Sequence, residues 1–301
     1  MSAIATAAAV GPVWFDGELV AAENAKLPVL SIGLHNAICV FDGIRVHESY
    51  AFAVTEHVDR LCSSAAAVGM TLPWTAAQIA AAVEATVAAS GYSEAYVRPV
   101  AWRGAEAVGI NTAGTTVHLA IAVIRWPEPQ AVERPPLRLT LSEWRRPAPT
   151  MGPVQAKTSA NYLVGSLALA RAHSDGYDDA ILLDHRGRVA EATGANIFLV
   201  RDGELITPVA DSFLDGITRQ TVLRLAADAG IRTHIVRVSL EDISAADEVF
   251  LTGTASGIAP VGQFSDIEYP RERPVTETLA AAYADLVFAH RTKEGPRIPS
   301  V

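Results

Sequence analysis

The chain has 301 residues, half of them hydrophobic, with a formal net charge of −9 and a pI near 5.4. This length allows one large domain or two smaller ones with a substantial core, and the acidic balance argues against a general nucleic-acid-binding protein. Two isolated cysteines favour a reducing, cytoplasmic setting, and the sequence shows no signal-peptide pattern, no apolar run that could span a membrane and no metal-binding motif.

The first part of the chain is predicted to form a small α/β domain over residues 1–127. The segment GPVWFDGELVAA predicts two short strands joined at an Asp-Gly dipeptide, which suits a tight hairpin. Residues 57–69 and 75–90 are alanine-rich and have a helical pattern, whereas EAYVRPVAWRG and TTVHLAIAVIRW are typical of strands. The prolines of PEPQAVERPP predict an interdomain linker over residues 128–136.

Residues 137–290 are predicted to form a larger, strand-rich C-terminal domain, and residues 291–301 a flexible polar tail. The strand LRLTLSEWRR opens this domain, and a helix follows Lys157. One face of that helix is apolar and carries Leu163, Leu167 and Ala170. The strands AILLD, RVAEAT, NIFLV and ELITP come next, followed by the helical segment ITRQTVLRLAADAG. DEVFLTGTASGIAPV is predicted to be a strand, a turn and a short strand.

Lys157 stands out because the chain otherwise uses arginine as its cation. Among 24 basic residues only three are lysines: Lys26, Lys157 and Lys293. Arginine matches or exceeds lysine as a surface charge, whereas lysine alone readily loses its proton and attacks a carbonyl to form a Schiff base. The pattern is consistent with imine chemistry at Lys157, and a solvent-facing lysine at a strand-to-helix junction is the alternative.

Glu191 lies in the apolar, small-residue segment GRVAEATGANIF. A glutamate buried there would need a cation or a hydrogen-bond donor, because an uncompensated buried charge is costly. The residue is therefore either a buried carboxylate that holds a proton on a heteroaromatic nitrogen or an outward-facing strand residue.

Two turns and one arginine could bind anions. FLDGITRQ places Gly216, Ile217 and Thr218 at a helix start, where free backbone N–H groups favour an anion. LTGTASG offers a second turn around Thr254. Arg60 lies on a predicted helix in EHVDRLCSSA, where a surface ion pair is the alternative. Together these features could hold a phosphate and a carboxylate.

These residues, in this order, resemble the class IV, or fold type IV, pyridoxal 5'-phosphate (PLP) enzymes. The likeness spans nearly the whole chain, from VWFDGELV to GTASGIAPV, and is greatest to the branched-chain amino acid aminotransferases. The segments similar to that family's motifs are VFDGIRVHES, EHVDRL, AYVRPVAWRG, AKTSANYL, GYDDAILLDHRGRVAEATGANIF and LDGITR.

The resemblance implies a two-domain fold type IV enzyme of mixed α/β class, with PLP as cofactor and a homodimer or higher homo-oligomer as the assembly. Lys157 would be the Schiff-base lysine and proton shuttle, Glu191 would pair with the pyridine nitrogen, and Tyr162 would hydrogen-bond the ring hydroxyl. The phosphate would be held by Arg60, Ile217, Thr218 and Thr254. The substrate pocket would be lined by Phe41, Gly43, Tyr96, Arg98, Trp126 and Ala255. Within that pocket, Arg98 would meet a carboxylate.

The implied reaction is a ping-pong transamination between an L-amino acid with a branched-chain or related side chain and 2-oxoglutarate. Two alternatives use the same scaffold: a PLP lyase similar to aminodeoxychorismate lyase, and a transaminase for D-amino acids or (R)-amines. A third is a non-catalytic binding protein in which Lys157 is structural. The YVRP strand favours the L-amino acid aminotransferase.

Several positions depart from the family pattern. They are Asn36 where tyrosine is usual, Asp42 for glutamate, Ser159 and Ala160 for two glycines, Ala195 for glutamate, and Asp215 for proline. None of them replaces the lysine, the pyridine glutamate or the phosphate residues. Asn36 and the altered loops lie at the expected pocket wall, so these departures bear on the choice of substrate.

Overall fold

The computed structural model describes residues 10–127 and 135–289. Within them the chain divides into two compact units. The first comprises residues 10–127, 156–160 and 287–289, and the second comprises residues 135–155 and 161–286. Most of the predicted linker and the whole predicted tail lie outside the described residues, so the domain limits stay a prediction.

The first unit contains a seven-stranded antiparallel sheet and three helices among its described residues. Its strands are β1 (Val10–Phe15), β2 (Glu18–Val20), β3 (Cys39–Phe41), β4 (Ile44–His47), β5 (Tyr50–Ala51), β6 (Ala95–Arg103) and β7 (Val117–Arg125). The helices are α1 (Ile32–His35), α2 (Val54–Ala67) and α3 (Ala76–Ser90). The strand order is β2-β1-β7-β6-β4-β5, and β3 also pairs with β6.

Strand β6 shows how this sheet separates a core face from a functional face. Its side chains alternate, so that Val97 and Ala101 are buried in the core while Tyr96 and Arg98 point to the opposite face. The core also takes in apolar residues of α2 and α3, among them Leu61. The strand therefore presents two of the predicted pocket residues side by side.

The second unit contains a nine-stranded mixed sheet and four helices among its described residues. Its strands are β8 (Leu137–Arg145), β9 (Asp179–Leu183), β10 (Val189–Ala192), β11 (Asn196–Arg201), β12 (Glu204–Pro208), β13 (Thr233–Val236), β14 (Glu248–Gly253), β15 (Gly257–Phe264) and β16 (Ile267–Glu268). The helices are α4 (Tyr162–Ser174), α5 (Ile217–Asp228), α6 (Leu240–Ser244) and α7 (Pro274–Val287). The strand order is β10-β9-β8-β15-β14-β11-β12-β13, with β16 on β15.

The mixed α/β class predicted from the sequence is confirmed. The predicted strands and the helices around residues 57–69 and 75–90 are present, whereas β3 to β5, β13 and α7 were not predicted. On α4 the leucine face is exposed, and the buried face is made of small residues. Small residues are needed on the buried face because α4 packs closely against the backbone at Thr193. A Cβ atom on Gly165 would lie 2.4 Å from the Thr193 carbonyl oxygen.

A buried carboxylate joins strand β14 to helix α7. Glu248 is 3% exposed and accepts hydrogen bonds from the Val275 N–H (3.1 Å), the Thr276 N–H (2.8 Å) and the Thr276 hydroxyl (2.7 Å). The first N–H groups of a helix have no partner within the helix, and negative charge is favourable beside them. Glu248 therefore anchors α7 to the strand that leads into the turn at Thr254.

Replacing Glu248 with glutamine should destabilise the protein. The glutamine amide keeps the size of the side chain but has no charge, and its NH2 group faces N–H and O–H groups that are themselves donors. We therefore expect the free energy of unfolding to fall by about 1–3 kcal/mol. Urea unfolding measures this loss. The control is Glu277→Gln, at an exposed position of the same helix, with an expected change of less than about 0.5 kcal/mol. Equal changes in the two variants would show that Glu248 does not anchor α7.

Candidate active site

Lys157 is held by backbone hydrogen bonds on both sides. Its N–H donates to the Ser64 hydroxyl on α2 (3.0 Å), and its carbonyl accepts from the Phe41 N–H on β3 (3.1 Å). The side chain is half-buried, and its Nζ lies 5.0 Å from the centroid of the Phe41 ring. This position beside an aromatic face differs from that of a fully solvent-facing lysine, which was the alternative.

An aromatic wall continues from Phe41. The Arg98 guanidinium lies 4.7 Å from the Phe41 ring centroid and donates to the Tyr96 hydroxyl (3.4 Å). The Tyr96 and Trp126 rings are 5.5 Å apart. Gly43 must be glycine here, because a Cβ atom at that position would overlap the Tyr96 hydroxyl oxygen at 1.7 Å. Besides the rings, the wall carries the Tyr96 hydroxyl and two guanidinium groups, that of Arg45 at 4.6 Å from the Trp126 ring centroid and that of Arg98. The Arg98 Nε is buried without a hydrogen-bond partner in the described part of the chain.

Asp42 is fully buried beside this wall and binds Arg60 through two hydrogen bonds. Arg60 Nε donates to Asp42 Oδ2 (2.8 Å) and Nη2 donates to Oδ1 (2.7 Å). The Gly43 N–H also donates to Oδ1 (2.7 Å), and His57 Nδ1 lies 2.7 Å from the same oxygen. Arg60 is therefore not a surface arginine, because its partner lies in the interior.

The protonation states in this cluster follow from burial and pairing. Burial alone would raise the pKa of Asp42, but hydrogen bonds from Arg60 and His57 outweigh it and hold that pKa well below its usual range. Burial, together with the positive charges of Arg60 and Lys157, lowers the pKa of His57 by more than Asp42 raises it, so the ring is neutral at pH 7. A neutral ring donates its Nδ1 proton to Asp42, and the 3.4 Å approach of Arg60 Nη2 to that nitrogen is then not a hydrogen bond.

Glu191 lies on β10 and is 8% exposed, so the outward-facing alternative is wrong. Arg146 Nε lies 3.2 Å from Glu191 Oε1, at ion-pair distance but without the alignment of a hydrogen bond. Arg146 Nη1 in turn donates to the Asn161 carbonyl (2.7 Å). The predicted pyridine carboxylate therefore has the cation that burial requires.

The predicted phosphate turn lies at the start of α5. Gly216 is the N-cap residue and provides no side-chain cap, while Ile217 and Thr218 are buried in the first turn. Arg219 is 3% exposed and donates to Asp215 Oδ1 (2.7 Å). Asp215, which replaces the proline of the family pattern, is thus held by the helix that it precedes. The N-terminus of this twelve-residue helix suits an anion.

Thr254 and Ala255 lie in the turn between β14 and β15. Just before this turn, Thr252 is 1% exposed, and its hydroxyl has no hydrogen-bond partner in residues 10–127 and 135–289. A buried hydroxyl without a partner is energetically costly. Such groups are found where a ligand supplies the missing hydrogen bond. Tyr162 is half-buried at the first residue of α4.

The structure brings the predicted residues together in two groups. In the first unit the group consists of Phe41, Gly43, Arg60, Tyr96, Arg98, Trp126 and Lys157. In the second unit Glu191 is linked to the Gly216 turn through Asn196.

Four buried partners of these groups were not predicted from the sequence to have a role: Asp42, His57, Arg146 and Asn196. A polar residue within an apolar segment, as in VFDG and ANIFLV, is the pattern that could have indicated them.

One departure from the family pattern has a structural explanation in the first unit. The Asn36 side-chain amide donates to the Gly109 carbonyl (2.7 Å), across a long stretch of chain. Asn36 therefore fastens the loop that follows β6 at Gly109. A tyrosine at this position could not make the same amide hydrogen bond.

Across the described residues, no group of three or more His, Cys, Asp or Glu side chains could hold a metal ion. Within the same ranges, no helix combines the length and the apolar character needed to cross a membrane.

PLP chemistry requires a lysine for the cofactor aldehyde and a carboxylate for the ring nitrogen, and Lys157 in the first unit and Glu191 in the second are residues of these two kinds. With the folds of the two units, they indicate a PLP enzyme of fold type IV. Residues 39–264 match the family model of the class IV aminotransferases, and the chain belongs to that family.

Individual relatives agree with this assignment. The branched-chain-amino-acid aminotransferase of Pseudomonas aeruginosa is 36% identical over 285 residues, which cover 92% of this chain and 93% of that protein. The branched-chain amino acid aminotransferase of T.th. with pyridoxamine 5'-phosphate has a TM-score of 0.90 and 35% identity, covering 94% of this chain and 95% of that one. Complexed with N-(5'-phosphopyridoxyl)-L-glutamate, the T.th. enzyme has a TM-score of 0.89 and 36% identity, with the same coverage.

These findings confirm the predicted family, the aminotransferase class and PLP as the cofactor. The alternative of a non-catalytic binding protein is therefore set aside. The roles of the individual site residues stay predictions.

The Asp42 cluster predicts a loss of stability in acid. The folded pKa of Asp42 lies below the ordinary value of 3.8, so its stabilising contribution is complete above about pH 4 and is lost as the pH falls through the folded pKa. The pKa of His57 is also lowered on folding, so acidification below about pH 6.5 favours the unfolded chain, which binds the proton. Both groups act in the same direction, so urea unfolding from pH 7 down to pH 2 should show a loss that begins with His57 below about pH 6.5 and steepens with Asp42 below about pH 4.

Asp42→Asn should flatten the acidic part of this profile and should cost about 3 kcal/mol at pH 7, because Arg60 loses its buried partner. The matched control is Asp59→Asn on the exposed face of α2, which should leave the profile unchanged. A variant at Asp42 with the wild-type pH profile would contradict the proposed burial of an ionised Asp42.

Proposed function

We propose that this class IV aminotransferase moves the amino group of an L-amino acid with a branched-chain or other aliphatic side chain to 2-oxoglutarate in a ping-pong cycle. The observation that carries the proposal is the aromatic wall of Phe41, Tyr96 and Trp126 with the Arg98 guanidinium set against it. The names of the relatives support the aliphatic donor, and the glutamate adduct in the T.th. enzyme supports the acidic partner.

The residues present fit PLP at both of its polar ends. Glu191, paired with Arg146, would hold the pyridine nitrogen proton, and Tyr162 would hydrogen-bond the ring hydroxyl. The phosphate would be held by Arg60, Ile217, Thr218 and Thr254. When bound, PLP supplies an electron sink that stabilises negative charge at the substrate α-carbon.

Lys157 is proposed to hold the cofactor covalently and then to act as the proton shuttle. Its Nζ, once released by the substrate amine, would take the proton from the substrate α-carbon and hold it for return. The backbone hydrogen bonds to Ser64 and Phe41 fix the main chain of Lys157.

Arg98 is proposed to let one pocket accept two kinds of side chain. A lone carboxylate among aromatic rings is costly, and the guanidinium fork offsets this cost by binding a carboxylate at two points. An aliphatic side chain packs on the rings instead and leaves the guanidinium against Phe41 and Tyr96. The arrangement thus suits alternate binding of an aliphatic and an acidic substrate.

We also propose a cytoplasmic homodimer or higher homo-oligomer. Several large apolar side chains are exposed in the single chain, and clusters of this kind mark interaction surfaces. In the first unit they include Leu27, Val29, Leu34, Val108 and Ile110, and in the second unit Leu163 and Leu167.

Lys157→Arg should abolish covalent attachment of PLP and lower turnover by a factor on the order of 10³ or more, because a guanidinium forms no imine and does not shuttle the proton. Borohydride reduction followed by intact-mass measurement detects the attachment. Lys26→Arg is the matched control, since Lys26 is exposed in the first unit. Covalent attachment that persists in Lys157→Arg would remove the central assignment.

Arg98→Leu should damage the 2-oxoglutarate half-reaction much more than the L-leucine half-reaction. Loss of a charge-assisted hydrogen bond of about 1.5–3 kcal/mol corresponds to roughly a tenfold to hundredfold selective drop in kcat/KM. The two half-reactions are followed separately by cofactor absorbance.

The control is Arg125→Leu, at an exposed position at the end of β7, which should change neither half-reaction. Equal damage to both half-reactions in Arg98→Leu would mean that Arg98 binds the α-carboxylate or supports the fold. If the wild type does not use 2-oxoglutarate, the donor and acceptor assignment fails, and the lyase or D-amino acid alternative takes its place.

A further inference from the structure

Asn196 contacts both predicted cofactor-binding elements of the second unit. It is the first residue of β11 and is 5% exposed. Its Nδ2 donates to the Leu214 carbonyl (3.0 Å) and, more weakly, to Glu191 Oε2 (3.4 Å). Its Oδ1 accepts from the Gly216 N–H (3.1 Å). One amide therefore touches the predicted pyridine carboxylate and the backbone before and within the phosphate turn.

The orientation of this amide follows from its partners. The Gly216 N–H needs an acceptor, whereas the Leu214 carbonyl and the Glu191 carboxylate need a donor, and only one orientation of the Asn196 amide satisfies all three. A carboxylate of the same size would turn an oxygen toward two acceptors. The site thus selects an amide rather than any polar side chain.

Close packing keeps Asn196 and the turn in contact. A Cβ atom on Gly216 would lie 2.3 Å from Asn196 Oδ1, whereas its next neighbours would be at ordinary contact distances. Gly216 has φ near −68°, a value that any residue adopts, so glycine is needed for space and not for conformation. The absent side chain lets the amide approach the turn.

We infer that Asn196 is a positioning residue that sets Glu191 and the turn from Leu214 to Thr218 at a fixed spacing. The inference rests on the proposed function, in which PLP meets Glu191 through its pyridine nitrogen and the turn through its phosphate. Both groups belong to one cofactor molecule, so the residues that bind them must keep a set separation. Asn196 links the two through a single buried amide.

The test measures dissociation constants of the full-length apo chain for PLP and for pyridoxal, which lacks the phosphate. The first variant is Asn196→Ala, which removes all three hydrogen bonds. The second is Asn196→Asp, which keeps the size of the side chain but replaces its NH2 donor with an acceptor oxygen. The control is Tyr269→Phe, which removes a buried hydrogen bond to the Ile243 carbonyl (2.9 Å) elsewhere in the second unit.

In Asn196→Ala we expect the dissociation constant for PLP to rise about tenfold, and that for pyridoxal to rise less, so that the preference for PLP falls. In Asn196→Asp the new carboxylate repels Glu191 and favours proton uptake by the pair. The pH at which the amino-acid half-reaction reaches half of its rate should therefore rise by about one unit. A purely structural role would change neither the ligand preference nor the pH profile.

Gly216→Ala tests the same contact without changing Asn196. Alone, it should weaken PLP binding because the added methyl group displaces the amide. In the Asn196→Ala background it should add little, since the clashing oxygen is gone, so the two effects should not be additive. If Asn196→Ala does not fold, Gly216→Ala alone and the isosteric Asn196→Asp carry the test.

The outcomes separate this inference from the proposed function. If Asn196→Ala and Tyr269→Phe change the PLP and pyridoxal constants equally, or if the Gly216 and Asn196 effects add, the inference is wrong while PLP binding stands. If the wild type binds PLP no better than pyridoxal, the proposed phosphate residues are wrong.

Discussion

A charge in the interior is the constraint on which the first unit depends. Asp42 is fully buried, and such a charge is tolerated only with close compensation, which Arg60 supplies at two points and His57 at a third. Phe41, the neighbour of Asp42 in the chain, carries the backbone bond to Lys157 and the ring on which Nζ lies. Compensation of one carboxylate thus fixes helix α2, the aromatic wall and Lys157 to one another.

The second unit also contains a buried carboxylate that is paired with an arginine. Glu191 is buried against Arg146, and Asn196 ties it to the turn at the start of α5. Buried ion pairs are weak sources of stability, because well-packed apolar residues often do as well or better in their place. Their presence in both groups is explained more readily by ligand binding, since a fixed charge that is already desolvated needs no reorganisation when a ligand arrives.

Much of the fold could be predicted because its elements depend on local sequence patterns. The strand pattern of β6, the alanine-rich helices and the Asp-Gly turn between β1 and β2 depend on neighbours in sequence, and each was predicted. Arg60 and Glu191 were predicted as site residues through the resemblance, but their partners Asp42 and Arg146 were not. Those contacts join segments distant in sequence, and no periodic pattern records them. The short strands β3 to β5 were not predicted for the same reason, since pairing rather than propensity defines them: β3 and β4 pair with β6, and β5 pairs with β4.

The hydrogen bond from Lys157 to Ser64 spans 93 residues of chain. Closing a loop of this length costs conformational entropy that only a largely folded unit can offset. We therefore expect Lys157 to take its place beside β3 and α2 only once the sheet that receives it has formed. Until then its amine would lack the Phe41 ring and its main chain the Ser64 hydrogen bond, so the chemistry proposed for position 157 would belong to the folded chain alone.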